Sequence, residues 1–207
     1  ARATGRTGVA YVITGPGVCN IMTPMGQAYS DSVPMLVISS CLDETAARRG
    51  QLHQMKDQRA AAETVCDWSE EARTAEAAYA LIDRAIAEFR VQRPRPVHIQ
   101  VPISVLEADA APSWPRKVVQ EFGRVDAPQA FEVATRLAQA KRPLFIFGGG
   151  AASASIARIA TRLLEDFGAA AFTSYAGRGV VAPDYPLLFG SYLAKPGSAE
   201  VLAKADI

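Results

Sequence analysis

Short apolar runs that lack a two-residue alternation recur in the first half of the chain. They cover residues 9–14, 35–40 and 97–102. Such runs are typical of strands that are buried on both faces of a parallel sheet. Within residues 75–90, apolar side chains recur at steps of three and four, which predicts a helix that buries one stripe. The stripe consists of Ala78, Tyr79, Ile82, Ala85, Ile86 and Phe89.

The second half of the chain has the same order of helix and strand. Asp126 and Pro128 suit the N-cap and the first turn of a helix. A strand over residues 143–147 precedes a second helix, which Gly168 ends in the manner of a C-terminal glycine. A further strand follows at residues 170–174. The first helix is expected to bury Ala130, Val133, Ala134 and Leu137, and the second has Ile156, Ile159, Leu163 and Leu164 on one face.

Two stretches lack this periodicity. Residues 41–67 are polar until a short apolar run at 60–65, and so long an irregular connection is usually functional or mobile. Residues 104–123 contain Pro112, Trp114 and Pro115, a composition typical of an interdomain linker. We therefore predict an α/β protein with two parallel-sheet units. The first covers residues 1–107, the linker 108–125 and the second unit 126–207.

The composition, 49% hydrophobic and 21% charged, is that of an ordinary globular protein. A formal net charge of +1 with interspersed signs favours neither nucleic acid nor a membrane surface as a partner. No apolar run approaches the roughly 18 residues that cross a bilayer. Cys19, Cys41 and Cys66 form no C-x-x-C pair, which favours buried thiols in a reducing, cytoplasmic compartment. His53 and His98 are too few and too far apart for a histidine-based metal site.

A Gly-Pro-Gly turn follows the first apolar run. Gly15 and Gly17 allow the backbone to approach a ligand closely, and the next helix directs its N-terminus to the same place. We expect this turn at the carboxyl end of a parallel strand, where open α/β sheets bind ligands. Pro16 removes a backbone donor and stiffens the turn, which suits a flat apolar ring better than a phosphate.

Two other interpretations of this turn stay open on the residues alone. One is a strand-to-helix turn that binds no ligand. The other is a dinucleotide fingerprint, G-x-G-x-x-N, in which Asp43 accepts a ribose hydroxyl. Against it, Asn20 is larger than the small third residue that close helix–strand packing needs. Pro16 also lacks a donor for the pyrophosphate.

Residue by residue, the chain resembles thiamine diphosphate (ThDP) enzymes of the acetolactate synthase, pyruvate oxidase and benzoylformate decarboxylase superfamily. The resemblance implies the carboxyl-terminal part of a pyrimidine-binding domain followed by a Rossmann-like central domain. The matching residues are 1–5, 15–17, Asn20, Asp31, Ser32, Pro34, 95–99, Pro102, 177–179, Pro186 and Leu187.

The resemblance implies ThDP with Mg²⁺ as the cofactor. Its aminopyrimidine would pack against the turn made by Thr14, Gly15, Pro16 and Gly17, with Asn20 supporting the turn. The implied substrate is a 2-keto acid or related small carbonyl compound. The reaction is either carboligation of the acetolactate synthase type or decarboxylation, and the sequence does not choose between them.

A polar segment matches the family's AFQE-x-D pattern in part. Gln54 and Asp57 match, whereas His53 replaces an aromatic residue. In the family this loop overhangs the substrate, so Gln54 would hydrogen-bond a bound carbonyl or carboxylate. His53 is either a proton shuttle near neutral pH or part of a solvated loop. His98 lies in an apolar strand and is expected to be a structural core histidine.

A second glycine-rich turn lies in the central domain. Gly148, Gly149 and Gly150 follow a strand and precede a helix, and could cradle the diphosphate of FAD, ADP or coenzyme A. Ser174 lies where flavin-binding members have a motif like TLMG. FAD binding therefore stays open as an interpretation of the three glycines. We favour the other interpretation, a structural turn that binds no nucleotide.

Both ends of the sequence predict a piece of a larger enzyme. The family's catalytic Glu would lie before Ala1, and its GDG…N metal motif would follow Ile207. The metal ligands would then lie outside this chain. We expect the isolated chain to be inactive, to bind ThDP weakly and to associate, as homo-oligomers of the family (dimers or tetramers) form ThDP sites between subunits. The alternative is a stand-alone nucleotide-binding or structural α/β domain.

Overall fold

The computed structural model describes residues 1–43, 49–112 and 126–207. The chain divides into two compact units, Ala1–Phe122 and Gly123–Ile207. Most of the linker predicted over residues 108–125 lies outside the described residues.

The first unit is built on a four-stranded parallel sheet. The strand order is β1-β2-β4-β3, so β2 and β4 are central and β1 and β3 are edges. The elements are β1 (Gly8–Val12), α1 (Pro16–Asp31), β2 (Met35–Cys41), α2 (Gln58–Glu63), β3 (Ser69–Glu71), α3 (Ala75–Val91), β4 (Pro96–Pro102) and α4 (Ile103–Leu106).

Helices cover both faces of the two central strands. On one face, Leu36 of β2 and Ile99 of β4 pack with the buried side of α3. On the other, Val37 packs with Met25 of α1. Because alternate strand residues point to opposite faces, each apolar run serves two cores at once. This arrangement explains why β2 and β4 read as continuous apolar runs.

The sequence was right about the apolar side of α3, except at its edges. Ala78, Ile82, Ala85 and Phe89 belong to the core cluster, which Leu81 also joins. Tyr79 and Ile86 lie beside it, half-buried. The short elements α2 and β3 were missed, because six and three residues are too few for a period to show.

The prediction that the first apolar run is buried on both faces was wrong. The strand ends at Val12, and Val9, Tyr11 and Ile13 are between 54% and 63% exposed. In the part of the chain that the structure describes, β1 pairs with β2 alone, and α3 packs over the central strands without covering this face. β1 is therefore an edge strand with one uncovered apolar face.

The second unit contains two parallel strands. β5 pairs with β6 along their whole lengths, and α6 packs its Ala160 and Leu164 into the core. Asp126 caps the first helix by accepting a hydrogen bond from the Gln129 amide, and Gly168 ends α6 with φ 58°, as predicted. The elements are α5 (Ala127–Gln139), β5 (Leu144–Phe147), α6 (Ala154–Phe167), β6 (Ala170–Thr173) and α7 (Ser198–Lys204).

The prediction that α5 buries one side was wrong, and α6 buries only part of its apolar face. No residue of α5 is buried: Ala130, Val133 and Ala134 are exposed and Leu137 is half-buried. On α6, Leu164 is buried, but Ile159 is exposed, and Ile156 and Leu163 are half-buried. The two described strands offer little apolar surface, so they cover only one narrow strip of α6. Helical periodicity was correct, while burial depended on partners that the pattern does not reveal.

His98 is a buried core histidine, as predicted. Its ring is fully buried in β4, with Ser39 Oγ 2.9 Å from Nε2 and Ser69 Oγ 2.7 Å from Nδ1. Burial lowers the pKa of the imidazole to about 4. Both ring nitrogens have hydroxyl partners, so the neutral ring is satisfied inside the sheet.

His98 should make folding stability depend on pH. The pKa of His98 is the ordinary 6.5 in the unfolded chain and about 4 in the folded chain. The unfolded chain therefore binds a proton first as the pH falls from 6.5 to about 4, and protonation favours unfolding over this range. We expect the free energy of unfolding to fall by up to roughly 3 kcal/mol between these values. Urea unfolding of the chain at several pH values measures it. His98→Gln should flatten the dependence and His53→Asn should not; equal slopes in all three proteins would contradict this explanation.

Candidate functional site

A cleft of about 220 Å³ lies at the carboxyl edge of the first sheet. Thr14 follows β1, and Gln100 is near the end of β4. Cys41 is the last residue of β2, and Asp43 lies two residues beyond it. The segment 54–58 completes its wall. Parallel strands end at one edge, which is why residues far apart in sequence meet here. The Gly-Pro-Gly turn is also at this edge and leads into α1, as the sequence predicted.

The turn after β1 is held in one conformation by its surroundings. Gly15 has φ 65°, and a Cβ added to it would lie 2.0 Å from the carbonyl oxygen of His53. A Cβ on Gly17 would lie 2.9 Å from Ile13 Cγ2. Only glycine therefore fits at position 15, on both conformational and steric grounds. Pro16 is exposed as the first residue of α1, so one side of its ring is accessible.

The expected role of Asn20 in supporting the turn is not seen. Its side chain is exposed on α1, and among the described residues it makes no hydrogen bond to the turn. The backbone instead closes the turn, since the Cys19 amide donates to the Gly15 carbonyl at 2.9 Å. Among the described residues, no side chain caps the start of α1.

The prediction that all three cysteines are buried holds for two of them. Cys19 is exposed, whereas Cys41 and Cys66 are buried. Burial, aided by nearby carboxylates, raises the pKa of both buried thiols to about 12. Cys41 thus lines the cleft as a neutral thiol and is a poor nucleophile there.

The loop over residues 49–57 approaches the turn through its backbone. His53 has φ 66°, a left-handed conformation that is uncommon outside glycine, and its side chain is half-buried. Gln54 lines the cleft, and its Oε1 accepts hydrogen bonds from the amides of Gly50 (2.7 Å) and Gln51 (3.2 Å). Asp57 caps α2 by accepting from the Ala60 amide at 2.9 Å. His53, Gln54 and the turn thus come together, as the sequence suggested.

Sequence reasoning missed the residue that connects these parts. Gln58 is 7% exposed, and its Oε1 accepts hydrogen bonds from Thr14 Oγ1 at 2.7 Å and the Gly15 amide at 2.8 Å. Its Nε2 donates to the Ser40 carbonyl at 2.9 Å and to Ser39 Oγ at 3.0 Å. One amide therefore joins the ends of β1 and β2. The only sequence signal was a polar residue just before the apolar run at 60–65.

The hydrogen bonds of Gln58 continue across the sheet. Gln100 Oε1 lies 3.3 Å from Gln58 Nε2, and Gln100 Nε2 donates to Glu71 Oε2 at 2.6 Å. Ser39 leads to His98, and Ser40 Oγ accepts from the Thr14 amide at 3.1 Å. All four strands contribute to this buried polar network below the cleft.

The glycine-rich turn of the second unit has close backbone contacts of its own. Gly149–Ala151 forms a 3₁₀ turn after β5, and a Cβ on Gly149 would lie 3.0 Å from Ala176 Cβ. Gly148 and Gly150 have open space at that position. Ser174 Oγ accepts from the Gly177 amide at 3.2 Å and so caps a second 3₁₀ turn.

Among the described residues there is no cluster of three side chains suited to holding a metal ion. In the same residues, no helix combines the length and the apolar character needed to cross a membrane.

Comparison with known proteins identifies the family. Residues 1–61 match the thiamine pyrophosphate enzyme N-terminal TPP binding domain, and residues 131–207 match the central domain of the same enzymes. The chain belongs to the thiamine pyrophosphate enzyme family. The first match contains both the Gly-Pro-Gly turn and the loop that packs on it. The α/β fold with two parallel sheets agrees with this assignment and confirms the resemblance described above.

Curated relatives of this ThDP enzyme chain include decarboxylases and synthases. It is 45% identical over 211 residues to a probable 2-ketoarginine decarboxylase of Pseudomonas aeruginosa, covering 100% of the chain and 37% of the relative. It is 28% identical to the acetolactate synthase large subunit of Lactococcus lactis, covering 97% and 36%. It is 27% identical to the pyruvate oxidase of Lactiplantibacillus plantarum, covering 100% and 35%. The chain thus spans about a third of the length of these relatives.

Replacing Gly15 should destabilise the protein by more than the cost of a positive φ at a residue other than glycine. In Gly15→Ala the new methyl group meets the His53 carbonyl, and the residue also keeps an unfavourable φ. We expect the free energy of unfolding to fall by at least about 2 kcal/mol, against about 1 kcal/mol for Gly5→Ala. Gly5 has φ 67° with nothing within 4 Å of an added Cβ, so it measures the cost of a positive φ without a steric contact. Denaturant unfolding of both variants tests this, and equal losses would exclude the steric contact.

Proposed function

We propose that the enzyme containing this chain is a ThDP-dependent decarboxylase of a 2-keto acid, with 2-ketoarginine as the first substrate to test. The supporting observation is the 45% identity along the whole chain to a probable 2-ketoarginine decarboxylase. Identity to hydroxyacyl-CoA lyases, acetolactate synthases, pyruvate oxidase and a sulfoacetaldehyde acetyltransferase is 25–28%. A difference of this size favours a shared substrate class with the first of these relatives.

The turn fits the pyrimidine end of ThDP. Pro16 offers an accessible ring face on a rigid turn, and Gly15 is fixed by contacts on two sides. We propose that Thr14–Gly17 hold the aminopyrimidine and that Mg²⁺ binds with the diphosphate through residues outside this chain. When bound, ThDP supplies the electron sink that stabilises the carbanion formed as a 2-keto acid loses CO₂.

The residues of the loop act on the substrate in this proposal. Gln54 lines the cleft, and we assign it a hydrogen bond to the substrate carboxylate or carbonyl. A carboxylate or carbonyl oxygen needs a donor, so we assign the substrate contact to the side-chain amide nitrogen, while the side-chain oxygen accepts from the Gly50 and Gln51 amides and holds the loop. The loop is thereby pre-organised before substrate arrives.

For the central domain we propose a structural role for the turn at Gly148–Gly150. Gly149 packs closely on Ala176, and this contact explains the glycine at that position without requiring a bound nucleotide. FAD binding is the alternative, and a flavin absorbance spectrum of the purified enzyme would establish it.

Product analysis of the full-length enzyme tests the function. With ThDP and Mg²⁺, we expect CO₂ release from 2-ketoarginine with kcat/KM at least about tenfold above that for pyruvate, a difference of about 1.4 kcal/mol in transition-state binding. Reactions without ThDP are the control. Acetolactate as the main product from pyruvate would overturn the decarboxylase proposal. It would favour carboligation, the other reaction that the family resemblance implies.

The His53 substitution separates a backbone role from a chemical one. Asn tolerates the left-handed conformation, whereas β-branched Val does not. We expect His53→Asn to keep kcat/KM within about threefold and His53→Val to lose at least about tenfold, since the carbonyl of residue 53 packs against Gly15. Steady-state kinetics across pH measure both. A tenfold loss in His53→Asn with an altered pH profile would instead assign proton transfer to the imidazole.

We propose that the enzyme is a homo-oligomer and that the 207-residue chain alone binds ThDP weakly and associates. Val9, Tyr11 and Ile13 expose an apolar face on an edge strand, a surface that favours association. Titration calorimetry with ThDP and Mg²⁺, together with light scattering, tests both expectations. Micromolar binding by a strictly monomeric chain would contradict them.

A further inference from the structure

Gln58 is the best-connected buried side chain at the cleft. Its amide oxygen accepts from Thr14 and Gly15, and its amide nitrogen has acceptors in Ser39, Ser40 and Gln100. These partners lie at or just beyond the ends of β1, β2 and β4, three strands that are far apart along the chain. A single side chain thus fixes the relative positions of three strand ends.

The chemistry of this position requires an amide. The oxygen must accept from two donors, while the nitrogen must donate to a carbonyl and a hydroxyl. A glutamate carboxylate of the same shape would accept but not donate, and would face the Ser40 carbonyl with like partial charge. A leucine would leave the Gly15 amide and the Thr14 hydroxyl buried without this acceptor.

The segment that carries Gln58 contacts Gly15 twice. The Gln58 oxygen binds the Gly15 amide at 2.8 Å, and the His53 carbonyl, five residues earlier, packs against the Gly15 α-carbon. Asp57 fixes the direction of α2 between these two contacts by capping it. Gly15 immediately precedes Pro16. Displacement of the Gln58 side chain would therefore release the turn and the loop together.

We propose that Gln58 is a positioning residue, which sets the turn at Gly15 and Pro16 in the conformation that receives the pyrimidine ring and couples that turn to the loop carrying Gln54. In this proposal it acts through the turn: both ends of its side-chain amide are engaged by protein groups and make no hydrogen bond to the cofactor or the substrate. The proposal rests on the proposed function only in taking ThDP as the ligand of the turn.

Gln58→Glu in the full-length enzyme tests the proposal, with Gln92→Glu as the matched control. Gln92 is exposed at the C-terminal end of α3, so its substitution adds the same charge away from the cleft. At about pH 8 we expect Gln58→Glu to raise the Kd for ThDP at least about tenfold, as expected for loss of buried hydrogen bonds. At about pH 6 protonation of the buried carboxyl restores one donor, so much of the affinity should return. Gln92→Glu should match the wild type at both pH values.

Other titratable groups near Gln58 are common to all three proteins. His98 lies behind Ser39, Glu71 lies behind Gln100, and Cys41, Asp43, Lys56 and Asp57 line the cleft. The ratio of the Kd of Gln58→Glu to that of the wild type at each pH therefore removes their contribution. The recovery is a property of the substituted side chain alone.

Hydrogen exchange of the Gly15 amide in the cofactor-free enzyme provides the second readout. We expect it to accelerate at least about tenfold in Gln58→Glu relative to Gln92→Glu at about pH 8, because its acceptor is displaced. A purely structural role would be revealed by a lower unfolding temperature with wild-type ThDP affinity and unchanged Gly15 exchange in the folded variant, and this result would overturn the proposal.

If the wild-type enzyme bound no ThDP, the proposed function would fail, and Gly15 exchange alone would decide whether Gln58 holds the turn. Should Gln58→Glu not fold, Gln58→Met, uncharged and of similar length, takes its place in both measurements, without the recovery at low pH.

Discussion

The candidate site depends on satisfying the polar groups where parallel strands end. Beyond the end of β1 the ladder stops, and the amide of Gly15 and the hydroxyl of Thr14 are buried polar groups that need partners from elsewhere in the chain. A buried polar group without a hydrogen bond is costly, so each needs an acceptor or donor from elsewhere in the chain. Gln58 supplies both kinds at one point. The connection after β2 leads to α2 and so brings the Gln58 amide to this edge of the sheet.

The same connection determines what the cleft presents to a ligand. Because His53 packs its backbone on Gly15, the loop and the turn cannot move independently, and Gln54 is carried with them. The polar network beneath contains His98, whose lowered pKa keeps its ring uncharged at neutral pH. Under the proposed function the pyrimidine ring needs a site of fixed shape, and a rigid turn whose buried polar groups are hydrogen-bonded would provide one.

The two units differ in how far their apolar surfaces are covered. In the first, the central strands lie between α1 and α3, and the cores on both faces are buried. In the second, Phe131 of α5 is 74% exposed and Ile159 of α6 is also open to solvent in the described residues. An amphipathic pattern predicts which side of a helix is apolar, but burial requires a second surface of matching shape.

The sequence alone determined the α/β class, the position of the Gly-Pro-Gly turn, the helix caps at Asp126 and Gly168, and the ThDP resemblance. These features depend on local chemistry: φ preferences, capping hydrogen bonds and the spacing of apolar residues within one element. Only the tertiary structure identified Gln58 as the residue that joins the strand ends, because its partners lie up to 44 residues away. It also decided that Asn20 faces solvent and that β1 is an edge. Such facts arise from which elements become neighbours, and no local pattern encodes them.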